Sequence, residues 1–298
     1  MQLLKIVLLS VVGWGFFTGA SLAVTDRFSL LSYPATGPGD FLALYRSVNP
    51  PARSIRFSSD IDFSYAPMEL TVGGAVFRGV VDSIVVQHIG VAWAPADWWE
   101  LEAVLPLVWS ESFTDPEDPV AMSATALHLG DVALRGRFVV QDSRQHAVGV
   151  ALLPFITIPN GEAAYFVGDT RPTGGGIAVL DAQWGPCAVG LNVGVEGRER
   201  VQLHDLDFAS RLLVGAGGVV PLGDDVSFGL QVSAATSITA PFQDRRRTAA
   251  ELRTGLSYRS PKDRLTARVG ASLPLVRGAG VPAFRILAGF TYRMTWGG

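Results

Sequence analysis

From Ile55 to the end of the chain, apolar and polar side chains alternate almost one for one, and no other feature restricts the possible folds so tightly. Ile55, Phe57, Ile61, Phe63 and Tyr65 interleave with Arg56, Ser58, Asp60, Asp62 and Ser64. Successive side chains of an extended strand point to opposite faces, so this stretch has one oily face and one wet face. In the last segment Phe284, Ile286, Ala288, Phe290, Tyr292, Met294 and Trp296 share one face, and Arg285, Gly289, Thr291, Arg293 and Thr295 share the other. The same texture predicts strands at residues 55–66, 83–94, 98–109, 128–141, 146–158, 174–184, 187–197, 208–220, 225–238, 249–259, 264–275 and 284–296.

Composition says which solvent the oily face meets. Hydrophobic residues make up 48% of the chain and charged residues 17%, below the roughly 25% charged share usual in soluble domains. Yet after residue 23 no apolar run reaches the roughly 20 residues that a membrane helix needs. A strand that shows every second side chain to lipid reconciles the two observations. The connections alternate in length as well. Short turns at 95–97, 142–145, 185–186, 221–224 and 260–263 alternate with longer stretches around 67–82, 110–127, 159–173, 198–207, 239–248 and 276–283. Short periplasmic turns and longer extracellular loops are expected of an outer-membrane barrel. The predicted fold is therefore all-β, an antiparallel transmembrane barrel of about 12 strands over residues 55–298.

Residues 1–23 have the pattern of a signal peptide: Lys5, an apolar core from Ile6 to Phe17, and Ser21-Leu22-Ala23 for cleavage before Val24. Residues 24–54 are rich in Pro, Gly and Ser and predict an irregular periplasmic or lumenal segment. The formal net charge of −3 gives no reason to expect nucleic acid as a partner. The expected partners are outer-membrane lipid and lipopolysaccharide, the barrel-assembly machinery, and small solutes.

Several stretches resemble a family of outer-membrane barrels found as the N-terminal part of OmpA-like proteins. They are Asp26-Arg27-Phe28 with Gly37-Pro38-Gly39-Asp40-Phe41, then His88 to Ala92, Leu105-Pro106-Leu107, Gly130-Asp131-Val132, Leu153 to Gly161, and Pro282-Ala283-Phe284-Arg285. The resemblance implies a fold and a location and little about chemistry. Only Gly297 and Gly298 follow Trp296 here, so it implies no C-terminal peptidoglycan-binding domain.

Nothing marks an enzyme or a cofactor. The four histidines, His88, His128, His146 and His204, lack metal-ligand spacing, and the nucleophile elbow is absent. The single cysteine, Cys187, reads as a small residue at a strand start. The wet face is more informative. An arginine facing lipid near midplane costs about 2–4 kcal/mol, which assigns the charged residues to the lumen. These are Arg56, Asp60, Asp62, Glu100, Glu102, Asp131, Arg135, Arg137, Arg211, Glu251, Arg253, Arg268, Arg285 and Arg293. Two outcomes stay open. Opposed acidic and basic walls around water would make a porin-like pore for small hydrophilic solutes, and a paired network would make a closed structural or surface-interaction barrel. Arg293, beside the first strand in a closed barrel, is expected to meet Asp60 or Asp62.

Overall fold

The computed structural model describes residues 33–37, 39–72, 75–114, 121–124, 127–161, 167–203, 206–245, 247–278 and 280–296, and the predicted signal peptide lies outside them. The main strands are β1 (Ser54–Val72), β2 (Ala75–Ala96), β3 (Trp99–Thr114), β4 (Val132–Gln141), β5 (Gly149–Ile158) and β6 (Thr173–Trp184). They continue with β7 (Cys187–Gly197), β8 (Arg211–Pro221), β9 (Val226–Ser237), β10 (Ala249–Arg259), β11 (Leu265–Val276) and β12 (Phe284–Thr295). Each pairs antiparallel with its neighbours in the chain. The last strand then returns to the first: β12 pairs with β1 without a break, from Ser54 opposite Thr295 to Tyr65 opposite Phe284. The result is a closed antiparallel barrel of twelve strands.

Side-chain parity follows the alternation. Along β1, Arg56, Ser58, Asp60, Asp62 and Ser64 are buried inside, while Phe57, Ile61 and Tyr65 stand exposed outside. Along β12, Arg285 and Thr291 are inside, and Ile286, Phe290, Tyr292 and Met294 are outside. Aromatic rings gather at the short-turn rim, where Trp99 stacks on Phe138 at 6.3 Å and lies 6.0 Å from Trp93. At the other end Tyr65 stacks on Phe284 at 5.4 Å. Such belts suit the two interfaces of a bilayer, where a ring has one apolar and one wet side.

The long connections hold more strand than their sequence suggests. Residues 67–82 and 110–127 read as loops, but β1 runs on to Val72, β2 starts at Ala75 and β3 reaches Thr114. Ala121–Ala124 pairs with the end of β3. At 19 and 22 residues, β1 and β2 exceed the roughly 9–11 needed to cross a bilayer. Their hairpin therefore stands clear of the barrel on the long-loop side. A strand beyond the bilayer has no lipid face to keep apolar, and the strict alternation that marks a spanning strand lapses. A second small hairpin, Val201–Leu203 with Leu206–Phe208, lies within the stretch 198–207.

The outward face of β12 gives a direct test. Phe290→Arg places a charge against hydrocarbon and is expected to destabilise the folded barrel by about 2–4 kcal/mol. Urea titration in lipid vesicles, read by the heat-dependent shift of folded barrel on gels, measures it. An unchanged midpoint would show that this face does not meet lipid.

Candidate functional site

The interior of the barrel is built from charges that have found partners. On the β1–β3 wall, Arg56 lies 2.6 Å from Glu100 and 3.3 Å from Glu102, and Arg135 on β4 is 3.5 Å from Glu102. Across the β1–β12 seam, Arg268 on β11 grips Asp60 with two hydrogen bonds of 2.6 and 2.5 Å. Arg285 on β12 donates to Asp62 at 2.8 Å and to Glu251 at 3.3 Å, and Glu251 also accepts from Arg253 at 3.0 Å. Arg211 donates twice to Glu196, at 3.1 and 2.7 Å, at the long-loop end of β7 and β8. Asp131 is buried and accepts the backbone N–H groups of Asn160, Gly161 and Asp169, which ties the β5–β6 connection to the wall. The arrangement is a paired network rather than separate acidic and basic walls.

Arg293 lies elsewhere than its sequence position suggests. Asp60 and Asp62 are already bound by Arg268 and Arg285, and Arg293 turns to the short-turn rim, 2.7 Å from Asp263. Its Cα partner across the seam is Arg56, well below Asp60, because the register places Gly289 opposite Asp60. Register, which the sequence does not display, decides the pairing.

The inner segment before β1 is the feature that strand patterns miss. Residues 33–37 and 39–49 lie inside the barrel, and Ala35, Phe41, Leu42, Leu44, Ser47 and Val48 are almost wholly buried. The segment folds on itself: Phe41 and Leu44 exchange backbone hydrogen bonds of 3.0 and 2.7 Å around Leu42-Ala43, and Ala35 N–H donates to the Leu42 carbonyl. Asp40 accepts the N–H groups of Gly37 at 2.7 Å and Arg46 at 2.8 Å. The tip enters three places where the wall has no side chain. A Cβ at Gly229 would overlap the Phe41 ring, one at Gly270 would come within 3.0 Å of Leu42, and one at Gly190 within 3.4 Å of Leu44. Leu42 holds a φ of +48°, a left-handed conformation that costs a non-glycine residue about 1–2 kcal/mol. Its fit against Gly270 offsets that cost.

Charges lock the segment at its flanks. Arg137 on β4 pairs with Asp40 and donates to the Arg46 carbonyl at 2.6 Å. Arg46 is 3.0 Å from Asp181 on β6, which also accepts from the Ser47 backbone at 2.8 Å. Thr36 donates to Glu102, and Arg268 donates to the Ala35 carbonyl at 3.0 Å. Arg46 and Asp181 do not stand out in the sequence, and Asp40 does so only within the Gly37-Pro38-Gly39-Asp40-Phe41 stretch. Asp181 was findable, since it shares the inward parity of β6 with Val179. At the short-turn rim, Asp142 accepts from the Asn49 N–H at 3.0 Å and from Arg144. Burial pushes the Asp142 carboxyl up, but the hydrogen bonds from Arg144 and Asn49 outweigh it and hold the pKa below the usual carboxylate value.

The tip fills the short-turn half of the lumen. Above it, toward the long loops, lies a cavity of about 290 Å³. Tyr33, Ala43 and Tyr45 of the inner segment bound it on one side. Leu153, Phe155, Ile177 and Leu213 give it apolar walls, and Arg135, Glu196, Arg211, Glu251 and Arg253 give it a charged lining.

No protein-family model and no curated protein matches the chain. Solved structures do. An outer membrane channel from Pseudomonas putida F1 is similar with a TM-score of 0.65 at 12% identity, over 87% of this chain and 100% of that one. The NanC porin is similar with a TM-score of 0.53 at 10% identity, over 80% of this chain and 100% of the porin. The fold is that of an outer-membrane barrel. The likeness is to the general barrel kind and adds nothing on OmpA-like proteins.

Two measurements test the network. Arg268→Met strands the buried Asp60 carboxylate and is expected to cost about 3–5 kcal/mol, while adding Asp60→Leu recovers part of the loss. A double change no better than the single one would deny the pairing. For Asp142 the sign follows from a depressed pKa: its stabilisation is present at neutral pH and is lost as pH falls through that depressed value. Asp142→Asn is thus expected to lower the unfolding midpoint at pH 7, with the gap to the native chain closing as pH falls through the depressed value. Parallel pH profiles would rule this out.

Proposed function

We propose that the protein is a passive, porin-like channel for small hydrophilic solutes in the outer membrane of a Gram-negative cell. The observation that carries this reading is a closed barrel whose interior is charged and whose long-loop half holds a cavity of about 290 Å³. The ion pairs hold the walls together, and the cavity they leave has a polar lining in which hydrated solutes can exchange water for protein contacts. The similar solved structures, a channel and a porin by name, support the same reading.

On this reading residues 1–23 are removed as a signal peptide and the mature chain starts at Val24. The barrel-assembly machinery inserts it, the belt of exposed rings meets lipid, and the long-loop rim with its β1–β2 hairpin faces lipopolysaccharide and the exterior. The chain is non-catalytic and needs no cofactor. Its motif likeness to the barrels of OmpA-like proteins belongs to this proposal as well.

The inner segment favours a second reading, a non-conducting barrel, because it occupies the short-turn half of the lumen. Planar-bilayer recording separates the two. The channel reading expects a small, reproducible conductance from the purified full chain and vesicle swelling in small sugars or amino acids. Sealed bilayers and unswollen vesicles would favour the structural barrel. Tags on intact cells test the orientation: one at Phe242 is expected to label and one at Lys262 to stay hidden.

A further inference from the structure

The inner segment is attached to the barrel in a way that distinguishes a movable part from a strut. Among the described residues 33–49, every backbone–backbone hydrogen bond is internal to the segment: Ala35 with Leu42, Asp40 with Gly37, and Phe41 with Leu44. The wall needs none of them, since its twelve strands close without the segment. Every bond joining the two runs through a side chain, including those by which Arg137, Arg268 and Asp181 of the wall hold the segment's backbone at Arg46, Ala35 and Ser47. The tip residues Phe41, Leu42 and Leu44 sit at Gly229, Gly270 and Gly190. Ion pairs run from Asp40 to Arg137 and from Arg46 to Asp181. A peptide group leaving a sheet in hydrocarbon has no substitute partner, but these side chains face a lumen that water can fill. Removing the segment therefore leaves the sheet intact; it frees charged groups that water can solvate and uncovers two small apolar patches, at Val139, Ala151, Leu153 and Val179 and at Leu287.

A short junction ties the segment to the barrel. Pro50 and Pro51 precede Arg53, which holds a φ of +52°, and β1 begins at Ser54 on the short-turn rim. The segment's own turn and the Asp40 cap hold it together as one body.

We infer that residues 33–37 and 39–49 belong to a displaceable plug, seated by three glycine wells, two ion pairs and hydrogen bonds from wall side chains, whose departure from the short-turn half of the lumen opens the channel. The inference rests on the channel reading above and adds how that channel is closed. The seat is specific in shape: any side chain at Gly229 competes with Phe41 for the same space. The ion pairs add a salt-sensitive component, since charges that become exposed to electrolyte are screened.

A reversible lock tests it in the full chain. Leu44 Cγ lies 3.7 Å from the place a Cβ would occupy at Gly190, so Leu44→Cys with Gly190→Cys, in a Cys187→Ser background, is expected to cross-link under oxidation. Single-channel recording should find the oxidised protein nearly silent and a several-fold higher conductance after reduction with dithiothreitol. Gly229→Leu, which fills the Phe41 well, should raise the conductance several-fold with no reagent, in protein shown to be folded by circular dichroism. Equal conductance before and after reduction overturns the plug while leaving the channel reading standing. Failure of the pair to cross-link also overturns it, because Leu44 would then not occupy its well. Silence in every form, Gly229→Leu included, removes the channel reading itself and the plug with it.

Discussion

Closure between β1 and β12 is the constraint on which the rest depends. In hydrocarbon an unpaired peptide group costs several kcal/mol, so a sheet with open edges does not survive there. The seam is unbroken over the span from Ser54 to Tyr65. Two ion pairs cross it: Asp60 and Asp62 on the first strand take Arg268 and Arg285 from the last two. A slip of one residue would turn every carboxylate of β1 toward lipid and every aromatic inward. The hydrogen-bond ladder fixes that the barrel closes, and the charges fix where it closes.

Once closed, the barrel must do something with its interior. The oily residues face outward, so the lumen inherits the charges and the glycines. Charges pair with one another along the walls, and the glycines leave hollows that a water-filled lumen would not require. The inner segment uses both. Its apolar tip enters hollows at Gly190, Gly229 and Gly270, and its Asp40 and Arg46 engage wall charges of opposite sign. A sequence this short and rich in Pro and Gly has no means of burying Phe41 and Leu42 alone; the barrel supplies the core it lacks.

The alternation made strand number, parity and closure legible, because the cost of a charge in lipid acts on each residue separately and leaves its mark locally. Arg293 shows where that legibility stops. Its inward side was readable, but its partner depended on the offset between β1 and β12, which no local pattern records. The β1–β2 hairpin was missed for a related reason: beyond the membrane no lipid face enforces a period of two, although the strands continue to Val72 and from Ala75. Of the inner segment the sequence offered only a lumenal placement as one of two alternatives, and its seat was not visible at all. Phe41-Leu42-Ala43-Leu44 looks like loop sequence, and Gly190, Gly229 and Gly270 look like bends. Their meaning is a shape shared among four distant parts of the chain.

The pairing of the lumen charges also bears on how such a channel discriminates. A wall of like charges projects a field along the pore and selects ions by sign. Here Arg211 answers Glu196, Arg253 and Arg285 answer Glu251, and Arg268 answers Asp60. Opposite charges held within hydrogen-bond distance cancel over the width of a solute, so little long-range field remains to steer an ion. What is left to discriminate is space: the shape of the cavity and the presence of the tip beneath it. In this barrel the ion pairs serve the architecture, and on the proposed channel reading passage is governed by sterics.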